Sequence, residues 1–136
     1  MRLWHYKLIP FLPNSQLIAQ WRELNSIFKK QDNHILINYV YEYPKYDLYV
    51  YSFLVLKEMI HRKFKIKSYD NFCNYFGINP LDVIEIDKGE TPFDIHHNNR
   101  YLKQCFYNLQ EKYDRGQKDF SLERYKKLLE ACEERL

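Results

Sequence analysis

The sequence predicts an all-α fold: a compact helical domain of three long helices, with shorter connecting and C-terminal helices and an extended N-terminal arm. Two observations lead to this class. Apolar residues recur at spacings of three and four in several segments, which is the period of helices that pack on a core. Only one segment has the composition of a strand, and a single strand has no partner for a sheet. The chain of 136 residues has the length of one domain, predicted to span residues 1–136.

The N-terminal segment, residues 1–13, is predicted to be an extended arm, because it contains Pro10 and Pro13 and few helix signals. A long helix is predicted to follow over residues 14–30, with Asn14 or Ser15 as its N-cap. Its apolar stripe, which should face the core, consists of Leu17, Ile18, Trp21, Leu24 and Phe28.

The face opposite this stripe carries Ala19, Arg22, Glu23 and Ser26, and Glu23 lies farthest from the apolar side. An exposed Arg–Glu pair is ordinarily a solvated helix surface that contributes little to stability. The position of Glu23 in the chain supports a second interpretation. The chain begins only about twenty residues earlier, so its free α-amino group is expected beside this face.

The middle of the chain is predicted to hold the central helix. Residues 34–43 are rich in β-branched and aromatic side chains, and we expect an extended connector packed on helices. The second long helix is predicted over residues 44–63 and is apolar on nearly all sides, which indicates a buried position. A short helix follows, capped by Ser68 and closed by Gly77. The acidic stretch at residues 79–94 is predicted to be a loop with at most one helical turn.

Two amphipathic segments complete the predicted fold. The third long helix begins near Asn99 and ends at Gly116, and Ser121 caps a fourth helix. The apolar stripes of these two helices consist of Leu102, Cys105, Phe106, Leu109 and Tyr113 in one, and of Leu122, Tyr125, Leu128, Leu129 and Cys132 in the other.

Composition limits the function classes. The net charge of +3 is too small to identify a nucleic-acid-binding protein, although basic residues crowd positions 57–67 and acidic residues positions 82–94. Three scattered cysteines without CxxC spacing indicate buried reduced thiols and a cytoplasmic protein. No apolar run has the length of a membrane span or the pattern of a secretion signal, so no membrane partner is expected.

Common catalytic motifs are missing as well. The five histidines include no HExxH or HxH pair, and the adjacent His96 and His97 cannot share one helix face. The sequence has no glycine-rich phosphate-binding loop and no signature of a Ser or Cys nucleophile. We therefore expect neither a metal site nor another cofactor.

Amine chemistry remains compatible with the sequence. An α-amino group titrates near pH ~7.7, so a useful fraction is unprotonated at neutral pH. A neighbouring carboxylate such as Glu23 can shuttle protons while the amine forms an imine with a carbonyl or a sugar C1′. Arg22 beside it would hold a phosphate, because a guanidinium makes bidentate contacts with oxyanions.

The residues that carry this chemistry resemble those of a known family. The stretch QLIAQWREL at residues 16–24 is similar to the first-helix motif of the pyrimidine-dimer DNA glycosylases of the phage endonuclease V type. The stretches HILINYVYEYP, from His34, and LKEMIHRKFKI, at residues 56–66, are similar to that family's aromatic connector and to the end of its second helix. MRLW at the start and YLKQCFYNLQEKY at residues 101–113 resemble uncharacterised bacterial members.

The resemblance implies a helical fold without strands and an enzyme whose N-terminal amine attacks the sugar to form an imine. The helix-one glutamate, matched by Glu23, would carry out the proton transfers and the strand cleavage. Because Arg2 is bulky, removal of the initiator Met1 is not expected, and Met1 would then supply the amine. The predicted catalytic residues are accordingly Met1, Arg2 and Glu23.

The resemblance also implies double-stranded damaged DNA as the partner of a monomeric enzyme. Arg22 would bind DNA and His34 would lie near the phosphate backbone. Apart from the resemblance, the basic residues Arg62, Lys63, Lys65 and Lys67 would serve as a phosphate track if they lie beside the amine. More ordinary roles remain open for these residues, since His34 can cap a turn and a basic cluster is often a solvated helix end. Tyr39, Tyr41 and Tyr43 similarly fit a core and its rim as well as a stacking platform.

The leading functional hypothesis is therefore a DNA-repair glycosylase with abasic-site lyase activity. A second hypothesis, from a different class, is a non-catalytic helical module that binds nucleic acid or protein through its tyrosine and lysine surfaces.

Overall fold

The computed structural model describes residues 2–30, 34–77 and 91–133, and all regular structure within these ranges is helical. The five α-helices are α1 (Asn14–Lys29), α2 (Lys45–His61), α3 (Asp70–Phe76), α4 (Asn99–Asp114) and α5 (Leu122–Glu133). Two short 3-10 helices, Tyr6–Phe11 and Asn38–Glu42, precede α1 and α2. The predicted all-α class with three long helices is confirmed. None of the described helices is long and apolar enough to cross a membrane.

The helix α2 lies at the centre of the fold. It packs against α1 and against both 3-10 helices, while α3 packs on α1. Eight of its residues are buried, as the nearly continuous apolar character of its sequence predicts: Leu48, Tyr49, Val50, Tyr51, Ser52, Val55, Leu56 and Met59. The helices α4 and α5 pack on each other and on the N-terminal 3-10 helix.

The N-terminal segment packs in the core, and the prediction of extended backbone was wrong for residues 6–11. Leu3, Leu8 and Leu12 are buried, and residues 6–11 form a 3-10 helix. A buried backbone must satisfy its hydrogen-bonding groups, and 3-10 turns do this locally. The amide of Leu8 donates to His5 O, and the amide of Leu12 donates to Ile9 O.

The connector before α2 also differs from its prediction. Residues 35–37 form a turn, and Asn38–Glu42 form a 3-10 helix rather than an extended segment. Ile37 and Val40 are the buried residues of this connector, and their spacing of three is the period of a 3-10 helix. β-branched and aromatic side chains therefore pack on the core here without a strand, which shows tertiary contacts overriding β propensity.

The predicted helix ends are mostly confirmed. The side-chain oxygen of Ser68 accepts from the Asp70 amide, and that of Ser121 accepts from the Arg124 amide. Gly77 and Gly116 follow α3 and α4 in left-handed conformations, with φ angles of 73° and 81°.

The start of α1 is an exception, since neither predicted cap residue caps it. Pro13 is at the N-cap position, and its own side chain makes no capping hydrogen bond. Asp119 Oδ2 instead accepts from the Ser15 amide at 2.6 Å. Of the predicted acidic loop at residues 79–94, only residues 91–94 are among the described residues, where residues 92–94 are in a turn.

Candidate active site

The chain directly after its first residue lies across α1 and is held there by Gln20. The carboxamide of Gln20 is buried, with Oε1 accepting from the Trp4 amide at 2.8 Å and Nε2 donating to Arg2 O at 3.1 Å. The hydroxyl of Tyr51 on α2 lies 2.7 Å from Trp4 O and 2.9 Å from Gln20 Oε1. Residues 2–4 are therefore fixed to α1 and α2.

Beside this contact lies a cavity of about 240 Å³, which we call the Glu23 cavity. It is lined by Arg2, Trp4, Gln16, Ala19, Gln20, Glu23, Asn108 and Lys112. The lining thus combines one carboxylate with two cationic side chains. Gln20 and Glu23 are three residues apart on α1 and so lie on the same side of the helix.

Glu23 is more enclosed than the helical wheel predicted. Its side chain is half-buried and its Oε2 atom is buried, because residues 2–4 and α4 cover this side of α1. Burial is the main cause that raises the pKa of Tyr51, and the negative charge of Glu23 adds to the rise. Met1 lies outside the described residues, but Arg2, to which it is bonded, lines the cavity that contains Glu23.

The thiol and the two phenol hydroxyls near Arg2 are uncharged at neutral pH. Burial raises the pKa of the Cys105 thiol and of the Tyr39 and Tyr101 hydroxyls, while the nearby Arg2 lowers each of them to a smaller extent. The side chain of Arg2 also hydrogen-bonds to Cys105. Among the residues that line the cavity, Glu23 has the acidic side chain.

A buried histidine pair supports the N-terminal segment from the other side. His5 Nε2 donates to His97 O at 2.8 Å, and His97 Nδ1 accepts from the Tyr6 amide at 3.3 Å. His97 Nε2 and the Tyr39 hydroxyl are 2.7 Å apart. Burial, followed by the charges of His5 and His96, lowers the pKa of His97 to about 3. His97 is thus neutral, and its Nδ1 acceptor role places the proton on Nε2.

Two of the predicted nucleic-acid-binding residues, Arg22 and Lys63, line a second cavity of about 700 Å³ on the neighbouring side of α1. His34 lines neither this cavity nor the Glu23 cavity. Its Nδ1 accepts from the Leu36 amide at 3.2 Å, which is the turn-capping role that the sequence left open.

Arg62 is partly buried and holds the N-terminal segment in place. Its guanidinium donates to Glu58 Oε1 at 2.9 Å, to Leu12 O at 2.7 Å and to Pro10 O at 3.1 Å. It also donates to Asn14 Oδ1 at 2.9 Å. The contact of Arg62 with DNA remains a prediction.

The sequence-based reasoning missed Gln20 and Lys112. A signal for Gln20 exists, because it lies three residues after Leu17 and four before Leu24, and so belongs to the apolar stripe of α1. A polar residue on such a stripe requires buried partners. Lys112 offers no comparable signal, since its proximity to Glu23 depends on how α4 docks.

Within the described residues, no group of three or more His, Cys, Asp or Glu side chains is arranged to hold a metal ion. The fold and the cavity define an all-α protein with a carboxylate next to the beginning of the chain.

The family model of the pyrimidine dimer DNA glycosylases matches residues 1–71, which is more than half of the chain. The chain belongs to this family, and the predicted resemblance is confirmed. The matched part contains residues 2–4, α1 and α2, and thus Glu23, Arg22 and Lys63. No curated protein and no solved structure matches the chain.

Proposed function

We propose that the protein is a DNA-repair enzyme that excises pyrimidine-dimer lesions and cleaves the resulting abasic site, with the α-amino group of Met1 as nucleophile and Glu23 as acid and base. The observation that carries this proposal is the position of residues 2–4, which Gln20 fixes along the wall of the Glu23 cavity. The family membership supplies the substrate class, DNA with a pyrimidine dimer.

The proposed chemistry begins with the unprotonated amine attacking C1′ of the damaged nucleotide. The glycosidic bond between C1′ and the base breaks, and the base takes the bonding electron pair. Glu23 accepts a proton from the amine and delivers it to the ring oxygen O4′ as the sugar opens, which leaves an imine between C1′ and the amine nitrogen. The same carboxylate then removes a proton from C2′, the 3′ phosphate leaves with the C3′–O bond electrons, and water releases the enzyme.

The cationic side chains of the cavity fit a DNA substrate. Arg2 and Lys112 are both within the lining that contains Glu23, and a nucleotide brings a phosphate on each side of its sugar. Two cations next to one carboxylate leave this small site with an excess of positive charge, which attracts those phosphates. The half-buried environment strengthens the attraction, because screening by water is weaker there.

Borohydride trapping tests the proposal directly. Duplex DNA with a cyclobutane pyrimidine dimer or an abasic site is incubated with the protein and borohydride, and we expect a covalent adduct that survives denaturation. Intact mass of the untreated protein establishes its first residue, and peptide mass mapping locates the adduct, which is expected on the α-amino group. An adduct on Lys112 would replace the nucleophile, and the absence of any adduct with both DNAs would contradict the function.

Two variants complete this test. Glu23→Gln is expected to abolish strand cleavage while leaving thermal unfolding close to that of the wild type, since the substitution keeps the size of the side chain. Lys112→Arg keeps the positive charge of the cavity and removes a primary amine. It should still form the adduct if the α-amino group is the nucleophile.

A further inference from the structure

The cavity on the neighbouring side of α1 combines an apolar floor with a cationic rim, and we call it the basic groove. Its volume of about 700 Å³ is nearly three times that of the Glu23 cavity. Ile18, Trp21, Met59, Phe64 and Ile66 provide its apolar lining. Arg22, Lys63, Lys65 and Lys67 provide the cations, and the lining residues include no Asp or Glu.

The end of α2 creates the lysine side of the groove. The Lys63 amide donates to Ile60 O and the Phe64 amide to Met59 O, while Lys63 has the left-handed φ angle of 63°. This residue ends the helix and redirects the chain. In the following segment Phe64 and Ile66 are half-buried, whereas Lys65 and Lys67 are exposed.

This alternation is typical of extended backbone, in which every second side chain points the same way. Lys65 and Lys67 therefore lie on the same side of this segment, about 7 Å apart. With Arg22 and Lys63 they give the groove four separate cations, which fit a polymer with repeated anions better than a single anion. The sugar–phosphate backbone of DNA has repeated anions, and its deoxyribose carbons can cover an apolar floor.

Two properties of the groove indicate that a partner covers it. Ile18 is 46% exposed although it stands on the apolar stripe of α1. The four cations repel one another around this surface, and no lining carboxylate compensates them. A polyanion with apolar edges would cover the exposed apolar surface and would neutralise the repulsion between the cations.

The groove and the Glu23 cavity lie on neighbouring sides of α1. Arg22 lines the groove and Glu23 lines the cavity, and these consecutive residues have Cα atoms about 3.8 Å apart. A DNA strand that contacts Arg22 consequently passes next to the Glu23 cavity.

We propose that the basic groove binds the sugar–phosphate backbone of one DNA strand, and that Lys65 and Lys67 are phosphate contacts that guide this strand to the Glu23 cavity. This inference rests on the proposed function, since DNA is the polymer concerned. The groove brings Lys63, Lys65 and Lys67 of the considered phosphate track together with Arg22 in a single surface, while Arg62 does not line it.

The salt dependence of DNA binding tests the inference. Binding of an undamaged fluorescent duplex is measured by anisotropy at several salt concentrations for the wild type and for Lys65→Gln/Lys67→Gln. Each lost phosphate contact lowers the slope of log K against log salt by about 0.9, so the double variant should lose about 1.8. The matched control is Lys103→Gln/Lys126→Gln, which changes the net charge equally at exposed positions outside both cavities and should leave the slope unchanged.

An equal loss of slope in both double variants, or no loss in Lys65→Gln/Lys67→Gln, would overturn the inference. Anionic phosphatidylserine vesicles serve as a second probe. Binding to vesicles that depends on these lysines, combined with unchanged DNA binding, would also overturn it in favour of a membrane surface.

Borohydride trapping separates this inference from the proposed function. With abasic-site DNA, the Lys65→Gln/Lys67→Gln variant should need a higher DNA concentration than the wild type for half-maximal trapping, because phosphate contacts are lost. The Lys103→Gln/Lys126→Gln control should be trapped like the wild type. A wild type that is never trapped but shows the expected change of slope would support the groove and contradict the amine mechanism. Normal trapping with an unchanged slope would support the amine mechanism and contradict the role of the groove.

Discussion

At the level of a single residue, Gln20 links the proposed active site to the core. Its carboxamide contacts Arg2, Trp4 and Tyr51, and it is the buried polar residue of α1. A buried amide without partners destabilises a protein, so these contacts constrain where residues 2–4 can lie. We therefore regard Gln20 as a positioning residue for the nucleophile.

Replacing Gln20 by Leu should affect both stability and rate. The substitution keeps a similar volume and leaves the Trp4 amide and Arg2 O without their partner, which costs about 2–4 kcal/mol in the free energy of unfolding. Trapping under saturating DNA should slow at least tenfold, because the amine loses its fixed position. Urea unfolding and single-turnover trapping measure the two effects.

Gln104→Leu, at an exposed position of α4, is the matched control and should change neither quantity. If Gln20→Leu lowers stability but is trapped at the wild-type rate, the contact is structural and does not position the nucleophile.

The buried His97 predicts an acid-sensitive fold. Its pKa is about 3 in the folded protein, whereas an unfolded histidine has a pKa near ~6.5. The unfolded chain thus binds an additional proton between these values. The resulting stability is fully present above pH ~6.5 and declines by about 1.4 kcal/mol per pH unit below it, until the pH reaches about 3.

The measurement is the difference in pH dependence between the wild type and His97→Gln. Urea unfolding from pH 6 to 4 should give a slope for His97→Gln that is smaller by about one proton. Gln104→Leu, which replaces a side chain that does not titrate at an exposed site, should keep the wild-type slope. Equal slopes for all three proteins would contradict a neutral buried His97.

At the scale of the elements, α1 separates the two surfaces for which functions are proposed. One side carries Gln20 and Glu23, and the neighbouring side carries Ile18 and Arg22. The periodicity of the sequence predicted the helix and most of its stripe. It could not predict that Ile18 lies in an open groove or that Glu23 is half-buried, because both results depend on which segments pack beside the helix.

The 3-10 helices illustrate the same limit. Residues 34–43 have the composition of a strand, but the fold provides no neighbouring strand among the described residues. The backbone instead satisfies its hydrogen bonds locally while Ile37 and Val40 reach the core. The family motif predicted roles for Glu23 and Arg22. Lys112 lines the Glu23 cavity only because of the way in which α4 docks.

Lys63, the left-handed residue after α2, allows effects on stability and on DNA binding to be measured separately. Lys63 has a φ angle of 63°, which costs a residue with a Cβ roughly 1 kcal/mol relative to glycine. Lys63→Gly should therefore raise the free energy of unfolding by about 0.5–1 kcal/mol. The same variant should lower the DNA salt slope by about 0.9, since it removes one phosphate contact.

Urea unfolding and anisotropy titrations measure these two changes. Lys63→Gln is the comparison, because it removes the charge and retains the strained backbone. A gain in stability for Lys63→Gly together with an unchanged slope in both variants would exclude Lys63 from the DNA contacts.

At the scale of the whole molecule, the N-terminal segment joins elements that are far apart in the sequence. Arg62, directly after α2, and Arg124 of α5 both approach the carbonyl oxygens of Pro10 and Leu12. Burial and the nearby Arg62 lower the pKa of Arg124. Tyr101 of α4 donates to Leu3 O. The beginning of the chain is thus held by its second half.

Removing the Arg62 guanidinium should weaken this assembly. Arg62→Met leaves the carbonyls of Pro10 and Leu12 and the Glu58 carboxylate with fewer donors, and we expect a loss of about 2–3 kcal/mol in the free energy of unfolding. Thermal and urea unfolding measure the loss. A salt slope lowered by about 0.9 would confirm that Arg62 also contacts DNA, as the sequence predicts, while an unchanged slope would leave it a structural role alone.

The burial of the first residues would give the proposed repair activity a safeguard during synthesis. The family match covers residues 1–71, yet a nascent chain of that length lacks Tyr101 and Arg124, which tie residues 3–12 to the rest of the molecule. We expect such a fragment to leave the proposed nucleophile exposed to solvent. The proposed cleavage of damaged DNA would then begin only when the final helices have been synthesised and hold the N-terminal segment in place.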